Sequence, residues 1–389
     1  MNTIAIIHTQ CGPYHLARAQ ALTSIYPGSV DLIQLTSQER QRQWVVDAYP
    51  IPITTIADGV LESLSSTHLI NRLLDHLTKT LPTVLVVAGY SHPAMRAAIK
   101  WGKHRRVPVI LLSDSQYCDR PRNLLLETIK GNWIRKHCDA AFVAGASASH
   151  YLETLGFPRH KIWRGYDVVD NHHFGQASQI ILQHEADERQ KLGLPKNYLL
   201  YVGRFAQEKN LLRLLEAFKL YQYQTRLPPW SLVLVGGGEQ EVTLKVKANQ
   251  LGLQNLIWSG FKQIDELPAY YSLASALILP SVSEPWGLVV NEAMACGLPI
   301  LVSERCGCVL DLVFPGINGY VFNPLDTQSL VGAIVDLTMQ SQDQRIQMGK
   351  HSRQIISNYT LESWAKALTD CAQAVSRKEF EHLVKLRTL

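Results

Sequence analysis

Two series of short apolar, β-branched runs, alternating with segments whose apolar residues recur at helical spacing, constrain this chain more than any other feature. The first series reads TIAIIH (3–8), VDLIQL (30–35), VLVVAG (84–89), PVILLSD (108–114) and AAFVAG (140–145). Helical-period segments such as HLARAQALTSIY (15–26) and PAMRAAIKWGKH (93–104) lie between them. Such alternation points to a parallel sheet, because parallel strands need crossovers long enough to hold a helix. A second series starts at YLLYVG (198–203) and runs through SLVLVGG (231–237), NLIWSG (255–260), SALILPS (275–281) and PILVS (299–303). The expected fold class is therefore α/β, with two doubly wound, Rossmann-like domains facing each other. Ligands of open α/β sheets bind beyond the carboxyl ends of the strands, so the site is expected in the cleft between them.

The rhythm breaks at NHHFGQASQIILQHEADERQKLGLPKN, which places a first domain at 1–170, a linker at 171–197 and a second domain at 198–360. Residues 361–389 are expected to be C-terminal helices that pack back across the junction. Composition agrees: 389 residues suit two to three domains, and 46% apolar against 18% charged residues excludes disorder, collagen and coiled coil. A net charge of +5 is too mild to imply nucleic-acid binding. No stretch approaches the roughly 18 to 20 apolar residues of a membrane span, and MNTIAIIH lacks the basic start and cleavage site of a secretory signal. A cytoplasmic chain is expected. The seven cysteines are scattered, and Cys306-Gly307-Cys308 has no companion cluster, which reads as reduced thiols without zinc.

No G-x-G-x-x-G is complete, no P-loop occurs, and there is no Asp-x-Asp to hold a diphosphate-bound cation. Phosphate charge would have to be met by protein groups, with no metal and no further cofactor. Such groups stand after YLLYVG, where Gly203-Arg204 is followed by Glu208-Lys209-Asn210. Fixed Arg and Lys heads can stabilise a diphosphate leaving group; a solvated turn with surface charges is the plainer alternative. Farther on, SVSEPWGLVVNEAMACGLPILVSE sets Glu284 and Glu292 eight residues apart, with Pro285 suited to a first helical position. Eight helical residues span about 12 Å, comparable with the distance from a donor sugar to its nucleotide ribose. Gly287 and Leu288 near the helix start would offer backbone N–H groups to the diphosphate. Taken alone, the two carboxylates are also ordinary helix glutamates.

Gly203-Arg204-x₄-Lys209, the glutamate pair and Gly297-Leu298-Pro299 together resemble the retaining glycosyltransferases of family 4, which have the two-Rossmann-domain GT-B fold. VLVGGG before a helix and GFKQIDELPAYYSLASALILPS match that family in order and spacing. The resemblance covers nearly the whole chain and is sharper in the second half. It implies hexosyl transfer from a UDP- or GDP-sugar to a hydroxyl of a glycan, lipid-linked or small-molecule acceptor, as in polysaccharide biosynthesis. Arg204 and Lys209 would bind the diphosphate, Glu284 the sugar and Glu292 the ribose. Gly203, Gly237, Gly238, Trp286, Gly287 and Leu288 would complete the donor pocket, with the region Phe261–Leu267 near the nucleotide.

The first half departs from the family pattern. Its first loop is Gly12-Pro13-Tyr14-His15, without a Gly-Gly pair, and the strand before the acceptor region ends Ser113-Asp114-Ser115 where a His is common. Asp114 is a catalytic candidate that would orient the sugar or the acceptor hydroxyl, or it caps the next segment. Gly12 and His15 are candidates for phosphate or acceptor contact, or His15 is a polar residue at a helix start.

Basic residues cluster at Lys100, Lys103, His104, Arg105 and Arg106, and Arg120, Arg122, Lys130, Arg135, Lys136 and His137 flank the apolar stripe Leu125, Leu126, Ile129, Trp133. A basic amphipathic helix can rest on anionic lipid at the inner face of a membrane; packing of the stripe into the core is the rival reading. Two rival functions remain. A sugar-nucleotide epimerase would display acid/base groups in a recognisable motif, and a catalytically silent nucleotide-sugar-binding protein would be expected to lack one of Arg204, Lys209, Glu284 or Glu292.

Overall fold

The computed structural model describes residues 2–39, 51–225 and 227–387, with side chains up to residue 377. The chain divides into two compact units, one of Met1–Gln116, Arg122–Val169 and Leu361–Leu389, the other of Tyr117–Pro121 and Asp170–Thr360.

The first unit runs β1 (Thr3–His8), α1 (Pro13–Ile25), β2 (Ser29–Gln34), β3 (Ile53–Thr55), α2 (Ser66–Thr80), β4 (Val84–Ala88), α3 (Pro93–Arg105), β5 (Val109–Ser113), α4 (Leu124–His137), β6 (Ala140–Val143), α5 (Ala146–Thr154) and β7 (Ile162–Arg164). Among the described residues its strands form a parallel sheet in the order β3-β2-β1-β4-β5-β6-β7. The strands read as continuous apolar runs because both faces are covered: Ile4, Ile6, Leu85, Val87, Ile110 and Leu111 are all fully buried. α2 buries Leu69, Leu73 and Leu77, one turn apart.

The second unit runs α6 (Asn171–Gln183), α7 (Glu185–Leu192), β8 (Tyr198–Val202), α8 (Leu211–Gln224), β9 (Ser231–Val235), α9 (Glu241–Gln250), β10 (Leu256–Gly260), α10 (Leu267–Leu273), β11 (Ala276–Leu279), α11 (Leu288–Ala295), β12 (Ile300–Ser303), α12 (Val309–Leu312), β13 (Gly319–Phe322), α13 (Thr327–Thr338) and α14 (Gln342–Ile356). Its strands are parallel in the order β10-β9-β8-β11-β12-β13. The chain then returns to the first unit as α15 (Leu361–Arg387), which packs on α1, β6 and β7. Trp364 is buried there against Phe142, ring centroids 5.9 Å apart.

Two boundaries differ from expectation. Residues 171–197 are not a linker: Asp170 caps α6 through the N–H groups of His172 and His173, and Phe174 and Ser178 bury that helix in the second unit. The misleading signal was α7, whose EADERQKL buries no residue. Tyr117–Pro121, expected within the first domain, belongs by its contacts to the second unit, where the Ser283 hydroxyl donates to the Asp119 carbonyl. Near the other crossing, the Asn171 side-chain amide donates to the carbonyls of Ile356 and Tyr359 at 2.9 and 3.0 Å.

Candidate functional site

At the carboxyl end of β8 the chain turns through Gly203 and Arg204 into a 3₁₀ turn at Gln207–Lys209. Asn210 then takes a left-handed conformation, φ 59°, and its amide holds the turn by donating to the carbonyls of Pro280 and Pro324 at 3.1 and 2.8 Å. The adjacent loop after β9 must come very close. A Cβ on Gly236, φ 135°, would lie 1.9 Å from the Gly203 carbonyl oxygen, and one on Gly238 2.7 Å from that of Phe205. Only glycine permits this approach. The Phe205 N–H donates to the Gly237 carbonyl at 2.8 Å, so the Gly-Gly-Gly run is a backbone shelf against the Arg204 turn.

The two charges picked out near this turn are partnered differently. Lys209 donates to Glu284 across 75 residues of sequence, and Glu284 also accepts from the buried Ser281 hydroxyl at 3.1 Å. The two side chains are 15% and 12% exposed, reachable but shielded. Arg204 bonds Glu208 at 2.7 Å and is about half exposed. Beneath them lies Tyr201, whose hydroxyl donates to the Arg204 carbonyl at 2.8 Å. Burial, with Glu284 and Glu208 adding to it, pushes the Tyr201 phenol well above its ordinary value, so it stays neutral and keeps donating.

The second glutamate is deeper. Glu292 is 2% exposed on α11 and accepts from the fully buried Tyr271 hydroxyl at 2.6 Å. Tyr271 is itself seated edge-on against Phe174, with ring centroids 6.0 Å apart.

The geometry between the two glutamates corrects the sequence reading. The helix does not begin at Pro285 but at Leu288, after Gly287 with φ 106°. Glu284 sits before it in extended backbone bridged to Cys306, with the Gly307 N–H donating to the Glu284 carbonyl at 3.0 Å. The two carboxylates are therefore not linked by eight residues of helix. Trp286 is buried and donates to Asn291 at 2.9 Å; its indole supports the loop from inside. Leu288 is the first helical residue, half-buried. Burial pushes the Cys306 thiol well above its usual value, with Cys308 and Glu284 adding to the effect.

In the first unit, Gly12 caps α1 with Pro13 in its first turn, and its N–H donates to Nδ1 of His15 at 2.9 Å. The His15 ring lies 4.2 Å from that of His8, the last residue of β1. Asp114 follows β5 and is exposed. These residues stand at carboxyl ends of strands, as the second unit's do. Phe261 is exposed after β10, where the Gly260 carbonyl accepts from Gly236. Sequence reasoning missed Ser281, Tyr271, Tyr201 and Asn210. Ser281 and Tyr201 meet partners three residues away beside the motifs, whereas Tyr271 and Asn210 meet theirs across 21 and 70 to 114 residues of sequence.

Residues 184–355 match the family model described as glycosyl transferases group 1. That stretch is a glycosyl transferases group 1 domain. The chain is 34% identical over 159 residues to the lipopolysaccharide 1,2-N-acetylglucosaminetransferase of Salmonella typhimurium, covering 38% of this chain and 41% of that protein. It is 31% identical over 177 residues to an uncharacterized glycosyltransferase of Haemophilus influenzae, covering 43% of this chain and 49% of the other. The chain thus spans about half or less of the length of these curated relatives. Over 96% of its length it superposes on all of Anabaena HepE, solved in complex with UDP, with a TM-score of 0.72 at 15% identity. The chain has the GT-B fold, two Rossmann-like units.

Proposed function

We propose that this group 1 chain is a retaining, metal-independent glycosyltransferase that moves a hexosyl group from a UDP- or GDP-sugar to a hydroxyl of a glycan, lipid-linked or small-molecule acceptor. The observation that carries the reading is the Lys209–Glu284 pair, braced by Ser281, beside Arg204 at the carboxyl end of β8. Lys209 and Arg204 supply positive charge where the diphosphate departs; Glu284 accepts from sugar hydroxyls, and Glu292 from the ribose. Gly237, Gly238 and Gly287 let backbone approach the nucleotide.

In the reaction, the bond from the sugar's anomeric carbon to the diphosphate breaks and the bond to the acceptor oxygen forms on the same face. The acceptor proton passes to a diphosphate oxygen. The protein holds reactants in place and stabilises charge already present at fixed positions. Asp114, His15 and Gly12 belong to the acceptor side, with Asp114 orienting the sugar or the acceptor hydroxyl. The proposed location is cytoplasmic, and no helix among the described residues is long and apolar enough to cross a membrane.

Melting shifts with UDP, GDP, ADP and their sugar conjugates test this, since ligand at about 100 times its dissociation constant adds roughly 2.7 kcal/mol. One nucleotide is expected to raise the melt of the parent and not of Lys209→Ala. A flat response to all of them would overturn the donor assignment.

A further inference from the structure

The rival placement for the α4 stripe, in the core, fails for Leu125, Leu126 and Ile129, while Trp133 is half-buried between the rings of Tyr90 and His137. Leu124, Leu125, Leu126 and Ile129 are 82%, 71%, 62% and 57% exposed. The helix cannot roll to hide them, because its other side is clamped. A Cβ on Gly131 would lie 2.4 Å from the Leu155 carbonyl oxygen, which also accepts from Arg135 at 2.6 Å. Glu127 accepts from Tyr151 and pairs with Lys130 and Arg122, and Arg122 also stacks over the Tyr151 ring at 4.3 Å. Arg122 and Lys130, counted in the sequence among the flanking charges, are therefore turned inward. Helical spacing sets Leu125, Ile129 and Lys136 along one outward line.

The charge at the C-terminal ends of α3 and α4 is mostly of one sign. α3 contains no acidic residue, and α4 only the inward Glu127. Lys100, Lys103, Arg105, Arg106, Arg135 and Lys136 are exposed on these two adjacent helices, with Asp139 answering Lys103 at 3.3 Å. Exposed contiguous leucines mark an interaction surface. A second copy of the chain would bring the same cations against these, so self-pairing is opposed. A helix that is apolar and exposed in its first turns and basic in its last fits a surface that is apolar inside and anionic outside.

We propose that the outer face of α4 seats the protein on an anionic lipid bilayer, with Leu124, Leu125, Leu126 and Ile129 entering the interface and the basic ends of α3 and α4 resting on the headgroups. Burial of apolar side chains at the acyl boundary and attraction of cations to anionic lipid act together there. The proposal draws on none of the donor residues and stands whether or not the donor reading does.

The test is flotation of the full chain with vesicles rich in phosphatidylglycerol, against vesicles of phosphatidylcholine alone, at low and high salt. The parent is expected to float with the anionic vesicles and to be released by salt. Leu125→Ser combined with Ile129→Ser should lower binding roughly tenfold, and Lys136→Glu about fivefold or more, with unchanged circular dichroism and melting. Failure of the parent to float at low salt would overturn the proposal, as would undiminished flotation of the serine variant. So would a lipid-free dimer on gel filtration that the serines dissolve, since the face would then belong to a second copy.

Discussion

Arg18–Asp167 in the first unit and Lys209–Glu284 in the second are chemically similar and structurally opposite. Arg18 and Asp167 are 3% and 9% exposed, and the guanidinium donates at 3.0 and 2.7 Å to the Val168 carbonyl while lying 5.1 Å over the Tyr166 ring. Its donors face protein, and it ties α1 to the segment after β7. Lys209 and Glu284 keep more exposure, at 15% and 12%, and sit in loops at strand ends rather than between packed elements. A sealed pair specifies where chain segments lie, whereas a pair at the rim of a sheet holds charge for something that arrives. The difference yields opposite readouts for the same kind of mutation.

The largest expected effect is on the sealed pair. Arg18→Ala leaves Asp167 buried without its charge partner, and breaking such a pair costs about 3–5 kcal/mol. Chemical denaturation should show that loss, while the nucleotide-induced melting shift persists in the folded protein. A variant as stable as the parent but inactive would break the comparison, because Arg18 would then serve the reaction. Next comes the rim pair. Lys209→Ala or Glu284→Ala should lower transfer on the order of 10²–10³-fold with little change in stability. A large loss of stability together with near-normal activity would make the Lys209–Glu284 pair structural too.

A backbone test follows, with a smaller expected effect. Gly236→Ala puts a methyl group 1.9 Å from the Gly203 carbonyl oxygen at φ 135°, so the shelf beside Arg204 must move. Strain of this kind costs on the order of 1–3 kcal/mol, and nucleotide binding should weaken along with the melt. A neutral result would mean that the two loops can separate without harm, and that their close approach does not position Arg204.

How much of this was legible depends on how local the cause is. The strands were readable because burial on both faces forces apolar runs such as YLLYV and ALIL. The motifs picked out Arg204, Lys209, Glu284 and Glu292, but not how these side chains are arranged. Pro285 looked like a helix start, yet the positive φ of Gly287 and the bridge of Glu284 to Cys306 delay the helix to Leu288. Both depend on a loop some twenty residues later in the chain. The α4 stripe has the same spacing whether it faces core or solvent, and only the close approach of Gly131 to Leu155 decides which. Tyr271 carries no signal, since nothing in LPAYYSL says which tyrosine meets a glutamate 21 residues on.

Tyr271 supplies the smallest and sharpest test, because it lies within the donor unit yet is as buried as Arg18. Its hydroxyl donates to Oε2 of Glu292 at 2.6 Å, and this fixes one edge of a carboxyl group proposed to meet the ribose with the other. Tyr271→Phe removes the hydroxyl and keeps the ring against Phe174. A hydrogen bond to a charged group contributes about 1.5–3 kcal/mol, shared here between fold and ligand. Nucleotide affinity should therefore fall about tenfold, near 1.4 kcal/mol. Removing the ribose 2′-hydroxyl should weaken binding to the parent but matter less to Tyr271→Phe, in which the Glu292 carboxyl group has lost this hydrogen bond. If both proteins discriminate equally, Tyr271 acts on packing alone. It would then stand with Arg18 among the groups that build the fold, despite its bond to a glutamate proposed to hold the ribose.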